Sequence, residues 1–511
     1  MVQESRTRKT FLNARVNLIF YFLTLLLSFF SRKIFFDSLG ADFLGLVGTL
    51  GNLLGFLNLA ESGVSAAIAV VLYKPLFENN KTEINEIISV LGYLYKNIGK
   101  IILVGGIVLS CFFPLIFPHS NIDFSIIYFA YYSFLGSSLI SYFINYKQIL
   151  LSADQRNYVV SAYSQTANII KTIIQMYLAF YTGNYFLWII VEFLFGIIYS
   201  LILNWKIGKV YPWLNTKSLD GKTLNRNYPD VMKYTKQLFV HKIASVIYNQ
   251  VTPFLVYAFA SLQAVAFYSN YTLVTLKIST LLNNFLGGTN ASVGNLIAER
   301  NNVKILNVFW ELISIRFIFT GISVYCMYHL LPPFISLWLG YEYIMSNTLL
   351  ILVLITFAMS TIRGVCEEFL SGYGLFSDIW APFVEAAILI VVAIIGGHIW
   401  GLEGTLLGSI ISSALIIYGW KPYFLFSQGF KISIWNYWIE FGKYLLITCL
   451  GFYISTIFLK LLRLNLNFYN NWIDWILYAL IVVLLFSIIQ IILLFLFTKG
   501  TRSLSKRIIK K

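Results

Sequence analysis

The sequence predicts an all-α polytopic membrane protein with about 14 transmembrane helices, and three observations predict it. Hydrophobic residues make up 58% of the 511-residue chain and charged residues only 12%, whereas soluble domains carry about 25% charged residues. Apolar runs of about 20 residues, long enough to cross a hydrocarbon core of roughly 30 Å, occupy most of the length. The 37 basic residues outnumber the 22 acidic ones and cluster in alternate loops, as they do in the cytoplasmic loops of membrane proteins. A soluble enzyme is excluded. The +15 net charge follows from this topology, so no nucleic-acid partner is expected.

The first apolar run is followed by Ser31, Arg32 and Lys33 rather than by a small-residue cleavage site, so it is expected to be retained as span 1. Six spans are expected at 12–31, 44–72, 99–117, 123–146, 158–181 and 184–205, separated by turn-forming residues such as Pro118 and the Thr182-Gly183-Asn184 stretch. Eight more are expected at 237–260, 264–297, 306–331, 344–370, 382–400, 404–426, 440–461 and 473–498, with Pro332-Pro333, Gly396-Gly397 and Gly401 read as turns. Outer loops then hold only Arg32, Lys33, Lys460 and Arg463 of the loop cations, which places both termini in the cytoplasm.

This pattern divides the chain into an N-terminal lobe (1–205), a basic cytoplasmic linker (206–236), a C-terminal lobe (237–426) and two extra spans with a basic tail (427–511). The linker cations are expected beside anionic headgroups. Ile84, Ile87, Ile88, Leu91, Leu94 and Ile98 follow helical spacing, which reads as an interfacial amphipathic helix entering span 3. Ser38-Leu39-Gly40-Ala41 after span 1 is echoed by Ser261-Leu262-Gln263-Ala264 after span 7. Such parallel repeats put a substrate path between two lobes.

Catalytic constellations are scarce. His119, His241, His329 and His398 are scattered, and no metal-ligand or nucleotide-binding motif is present. Cys111, Cys326, Cys366 and Cys449 read as small buried apolar residues. No metal and no cofactor are expected. Gly45, Gly48 and Gly51 suit close helix packing. Asp37 and Asp42, the nearby acidic pair in an outer loop, are too sparse for a membrane glycan polymerase and read as solvated.

Charges inside spans are informative because each costs at least about 2.5–3.5 kcal/mol at the bilayer centre. At 1.5 Å per residue, Lys171 and Glu192 lie at matching depths on the hairpin of spans 5 and 6, which predicts a buried ion pair. Lys277 in span 8 and Glu61 in span 2 occupy equivalent places in the repeat. Both would approach a central cleft, one as an anion-binding charge and the other as a titratable partner. Arg15 and Arg316 lie near cytoplasmic span ends, where they either snorkel to headgroups or join that cavity. Arg363 and Glu367, four apart, predict a local salt bridge. Asn249, Gln250, Asn270, Asn283 and Asn284 make spans 7 and 8 polar enough to line water. The tyrosines of spans 4, 7 and 8, including Tyr128, Tyr257 and Tyr271, fit either sugar stacking or an interfacial belt.

The stretch from Ser31 to Leu46, with Leu59-Ala60-Glu61-Ser62-Gly63-Val64 and Leu72-Tyr73-Lys74-Pro75-Leu76, resembles the start of polysaccharide transporters. These are the Wzx-like O-antigen and capsule repeat-unit flippases of the multidrug/oligosaccharidyl-lipid/polysaccharide exporter superfamily. The resemblance implies a non-enzymatic flippase that carries an undecaprenyl-pyrophosphate-linked oligosaccharide across the bacterial inner membrane by alternating access. It also implies membrane lipids, a polysaccharide polymerase and chain-length machinery as partners. A cationic cavity fits Lys277, Arg15, Arg32 and Arg316, while Glu61 falls on a family-like motif and serves either packing or transport. The alternative is a multidrug exporter of the same superfamily. Such exporters typically couple through an acid in span 1 or 7, and neither span here contains one.

Overall fold

The structure, a computed structural model, describes residues 6–61, 63–118, 120–154, 156–216, 220–229, 231–232, 235, 251–252, 254–286, 293, 296–297, 299–375, 377–462 and 466–509. Its described residues contain helices and turns and no strand. The chain divides into two compact units, Met1–Ala266 and Phe267–Lys511.

In the first unit, α1 (Arg6–Leu57) holds span 1 and the start of span 2, and it breaks at Gly40 (φ 79°, ψ 164°). That backbone conformation is nearly closed to residues with a Cβ. Span 2 breaks again after a 3₁₀ turn at Asn58–Glu61, where Gly63 (φ 100°) precedes α2 (Val64–Glu78). α3 (Lys81–Ser110) begins with a reciprocal cap. Asn80 Oδ1 accepts from the Glu83 amide at 3.2 Å, and its Nδ2 donates to Glu83 Oε2 at 3.0 Å.

α3 joins the amphipathic stretch and span 3 in one helix, and this corrects the interfacial reading. Ile84, Ile87, Ile88 and Leu91 are buried, and protein covers this part of the helix. The Asn215 amide donates to Asn85 Oδ1 at 2.8 Å, Tyr228 OH donates to Glu86 Oε2 at 2.6 Å, and a Cβ on Gly221 would lie 2.2 Å from the Ser89 carbonyl oxygen. Burial and the Glu86 carboxylate push the Tyr228 phenol up, which keeps its proton available to donate. The described linker residues therefore fold back onto α3 within the first unit.

α4 (Phe124–Phe143), α5 (Asn157–Thr182) and α6 (Tyr185–Val210) follow in this unit. Gly183 (φ 57°) ends α5, and Asn184 Oδ1 caps α6 by accepting from the amides of Phe186 and Leu187 at 2.9 and 3.2 Å. The two helices form a tight hairpin.

The unit boundary falls inside α7 (Leu262–Leu286). α8 runs unbroken from Asn302 to Trp338 with Pro332 and Pro333 inside it, so the Pro-Pro pair is not the turn expected from sequence. Membrane helices tolerate such prolines. The chain instead departs from helical geometry at Gly340 (φ 131°). α9 (Asn347–Ile362) and α10 (Gly364–Gly372) are separated at Arg363. α11 (Ala381–Leu415) folds at Gly401 (φ 58°, ψ −130°) into an antiparallel hairpin. A Cβ on Gly404 would sit 1.9 Å from the Gly396 carbonyl oxygen, and one on Gly408 would sit 2.6 Å from Ala393 Cβ. The turn expected there is the device that joins spans 11 and 12.

α12 (Trp435–Leu461), α13 (Trp472–Phe497) and α14 (Lys499–Ile509) follow. On α13, Tyr478, Val482, Phe486, Gln490 and Leu494 are buried at four-residue steps, while Leu480, Leu484 and Ile488 are exposed. This is the inside-out pattern of a lipid-facing helix. Gln490 donates to Thr448 Oγ1 at 2.9 Å and fits beside Gly321 and Gly451, since a Cβ at either would approach it within 3.2 Å. Small residues and hydrogen bonds take over where lipid removes the hydrophobic drive between helices.

Among the described residues, nine segments are long and apolar enough to cross a membrane. Arg15–Leu57 covers most of expected span 1 and the first half of span 2, and Ala381–Phe430 contains both expected spans 11 and 12. α5 and α7, which carry spans 5 and 8, are too polar to qualify, and most of span 7 lies outside the described residues. Cys366 is buried as expected, but Cys111 and Cys449 are exposed on helix surfaces, where an apolar thiol faces lipid as readily as protein.

Candidate transport site

The structure sorts the intramembrane charges into partnered groups. In the first unit, Lys171 Nζ stands 2.7 Å from Glu192 Oε1. Gln175 Nε2 donates to Glu192 Oε2 at 3.0 Å and to the Trp188 carbonyl at 3.2 Å. This triad clamps the α5–α6 hairpin with a neutralised, hydrogen-bonded charge pair.

Glu61 sits at the break between α1 and α2, half buried. Its Oε1 accepts from Ser65 Oγ at 2.8 Å and from Tyr95 OH. Tyr142 OH and Ser138 Oγ both donate to Asn58 Oδ1, at 3.0 and 3.2 Å, and the rings of Tyr95 and Tyr142 meet edge to face. The helix break thus exposes a carboxylate and an amide to a ring of hydroxyl donors. Sequence spacing singled out Glu61 but not Tyr95 or Tyr142, which lie far along the chain on α3 and α4.

Arg32, on α1, is half buried. Its Nη2 donates to the Ala266 carbonyl at 3.3 Å, and its guanidinium lies 5.1 Å from the Phe36 ring centre. Arg15 is exposed on α1.

In the second unit, Arg316 does not reach for headgroups. It is buried on α8, where Nη2 contacts Glu368 Oε1 at 2.8 Å and Nη1 donates to the Thr361 carbonyl at 2.8 Å. The α9–α10 break supplies that carbonyl, and the lack of a side chain on Gly364 makes room for the guanidinium. Next to it, Arg363 pairs with Glu367 at 2.7 Å. Sequence reasoning saw the four-residue spacing of Arg363 and Glu367 but missed Glu368, which faces the neighbouring helix. Lys277 is half buried on α7, two turns from the fully buried Asn270, while Asn283 is exposed. Tyr271 OH accepts from the Met345 amide at 3.0 Å. Asn249 and Gln250 lie outside the described residues.

No sequence-family profile matches the chain, and no characterised protein matches it by sequence. Solved structures do resemble it. The lipid II flippase MurJ, in an inward closed conformation, matches with a TM-score of 0.67 and 16% identity, over 93% of this chain and 98% of its own. An inward-facing multidrug resistance MATE family transporter of the MOP superfamily matches with a TM-score of 0.56 and 14% identity, over 81% of this chain and 97% of its own. The chain shares their fold. It is a polytopic, all-helical membrane protein, and at these identities the likeness extends to the fold alone.

Proposed function

We propose that this transporter-fold protein is a flippase for an undecaprenyl-pyrophosphate-linked oligosaccharide in the bacterial inner membrane. It would serve surface polysaccharide synthesis by alternating access between two lobes, with both termini cytoplasmic. The observation that carries the reading is the likeness across 93% of the chain to a lipid II flippase, at a higher TM-score than to the multidrug transporter. The sequence of expected spans 1 and 7 adds support, because neither contains Asp or Glu to balance a cationic drug. Cargo of this kind brings a pyrophosphate and sugars that cannot enter hydrocarbon cheaply. Lys277 and Arg32 are the cations proposed to receive the pyrophosphate, with Arg15 nearer the cytoplasmic entry. Asn270 and the Glu61 cluster are the proposed polar lining, to which Asn249 and Gln250 are added from sequence. The Arg316–Glu368 and Lys171–Glu192 pairs are assigned to structure, since each charge already has its counter-ion. A glycan polymerase and its chain-length machinery are the proposed downstream partners.

Deleting the gene in its host tests this reading. Loss of surface glycan, with lipid-linked repeat units accumulating on the cytoplasmic leaflet, is the expected outcome. Unchanged surface glycan with new sensitivity to cationic drugs would favour a multidrug exporter.

A further inference from the structure

The acidic pair that flanks the Gly40 break in α1 is split by the fold. Asp37 is exposed and bound to Lys33 at 3.2 Å. Asp42, half buried, instead lines a cavity of about 340 Å³ within the first unit, together with Ser120, Asn121, Phe254, Tyr257 and Ser261. The second copy of the repeated tetrad packs against α1 beside this cavity. A Cβ on Gly45, just beyond the first copy, would lie 2.0 Å from the carbonyl oxygen of Leu262 in the second. This backbone contact holds Leu262, one of the lining residues, against α1.

From this geometry we infer that the cavity is a carbohydrate subsite, taking one neutral or amine-bearing sugar ring of the cargo at the end of the unit that the charge bias puts outside. This rests on the flippase reading above. Asn121 Nδ2 donates to Asp42 Oδ2 at 3.3 Å, which fixes the carboxylate and leaves Oδ1 without a hydrogen bond from the described residues. A carboxylate oxygen held this way accepts from adjacent sugar hydroxyls. Ser261 Oγ accepts from the Ala264 amide at 3.0 Å, so its own proton can be donated to a ring or hydroxyl oxygen. Tyr257, tilted against Phe117 with ring centres 5.2 Å apart, and Phe254 supply apolar walls for the C–H face of a sugar. The volume lies at the low end of the roughly 300–1,000 Å³ typical of small-molecule sites. Among the described residues, Asp42 is the one charged group lining the cavity, so a phosphate or uronate would meet like charge. This distinguishes the subsite from the cationic groups proposed for the pyrophosphate.

Saturation-transfer NMR on the full chain in nanodiscs tests this, using methyl glycosides of a hexose, an N-acetylhexosamine and a hexosamine as probes, with methyl glucuronide as the anionic comparison. Binding of one or more of the first three, absence of glucuronide binding, and at least about tenfold weaker binding in Asp42→Asn are expected, the last from loss of a charge-assisted hydrogen bond. Asn121→Ala, an exposed loop change, provides a second variant, and unfolding temperatures of both control for folding. No saturation of any glycoside, equal glucuronide binding, or unchanged binding in the two folded variants would overturn the assignment. Transport of a lipid-linked glycan by the wild type, measured alongside, separates the two readings. Transport without glycoside binding removes the subsite and keeps the flippase, whereas binding without transport keeps the sugar site and removes the flippase.

Discussion

Arg316 and Glu368 meet at 2.8 Å, with side chains only 6% and 8% exposed, beside the side-chain-free backbone of Gly364. Removing one partner of such a buried pair strands the other charge, at a cost of about 3–5 kcal/mol. Arg316→Met and Glu368→Leu are each expected to lower the unfolding temperature in detergent sharply. The double change should recover much of the loss, because an apolar pair leaves no charge behind. Gly364→Ala should also destabilise, since its Cβ would fall 2.8 Å from the guanidinium.

The Lys171–Glu192 pair is more accessible, with side chains 18% and 27% exposed. Reversing either charge alone is expected to destabilise by roughly 1–3 kcal/mol, the cost of an unmade charged hydrogen bond. Exchanging the two residues should restore most of the stability, because the ion pair re-forms across the same hairpin with its charges reversed. Thermal unfolding of the two single variants and the exchange variant checks this as a double-mutant cycle.

At Gly45 the close approach of Leu262 leaves no room for a side chain. Gly45→Val is expected to force the two segments apart. Leu262, which is buried, provides the readout. A Leu262→Cys background should react with a water-soluble maleimide at least roughly tenfold faster when Gly45→Val is added.

Much of this architecture is legible in the sequence, because apolar length, turn glycines and the bias of Lys and Arg each have a direct physical cause. Gly183 and Gly401 mark hairpins since both turn the chain at positive φ, which glycine adopts without the cost a Cβ brings. Pro332-Pro333 misleads for the converse reason: a helix in lipid has no better alternative than to continue through them. Lys171 and Glu192, on adjacent helices of one hairpin, were legible because the short turn between them fixes their relative depth, but pairings between helices distant in sequence were not. Glu368 is adjacent to Glu367, and only the packing of α8 against the α9–α10 break decides which of the two meets Arg316. The same holds for Tyr95 and Tyr142 at Glu61, and for the protein cover over the isoleucine stripe of α3.

Lys277 is the proposed charge for the pyrophosphate, and removing it should act on transport more than on stability. Lys277→Ala is expected to unfold at the wild-type temperature and lose at least roughly tenfold in translocation rate, as the loss of a charged contact implies. Lys277→Arg should retain partial activity. Unchanged transport by a folded Lys277→Ala protein would remove this residue from the site.

The most direct measurement reconstitutes the purified protein in proteoliposomes and follows the leaflet position of a fluorescent undecaprenyl-pyrophosphate-linked oligosaccharide by its accessibility to an impermeant quencher. Protein-dependent exchange of the glycolipid between leaflets, with no uptake of a cationic dye, is the result expected. Dye transport in vesicles where the glycolipid stays on its original leaflet would contradict the account.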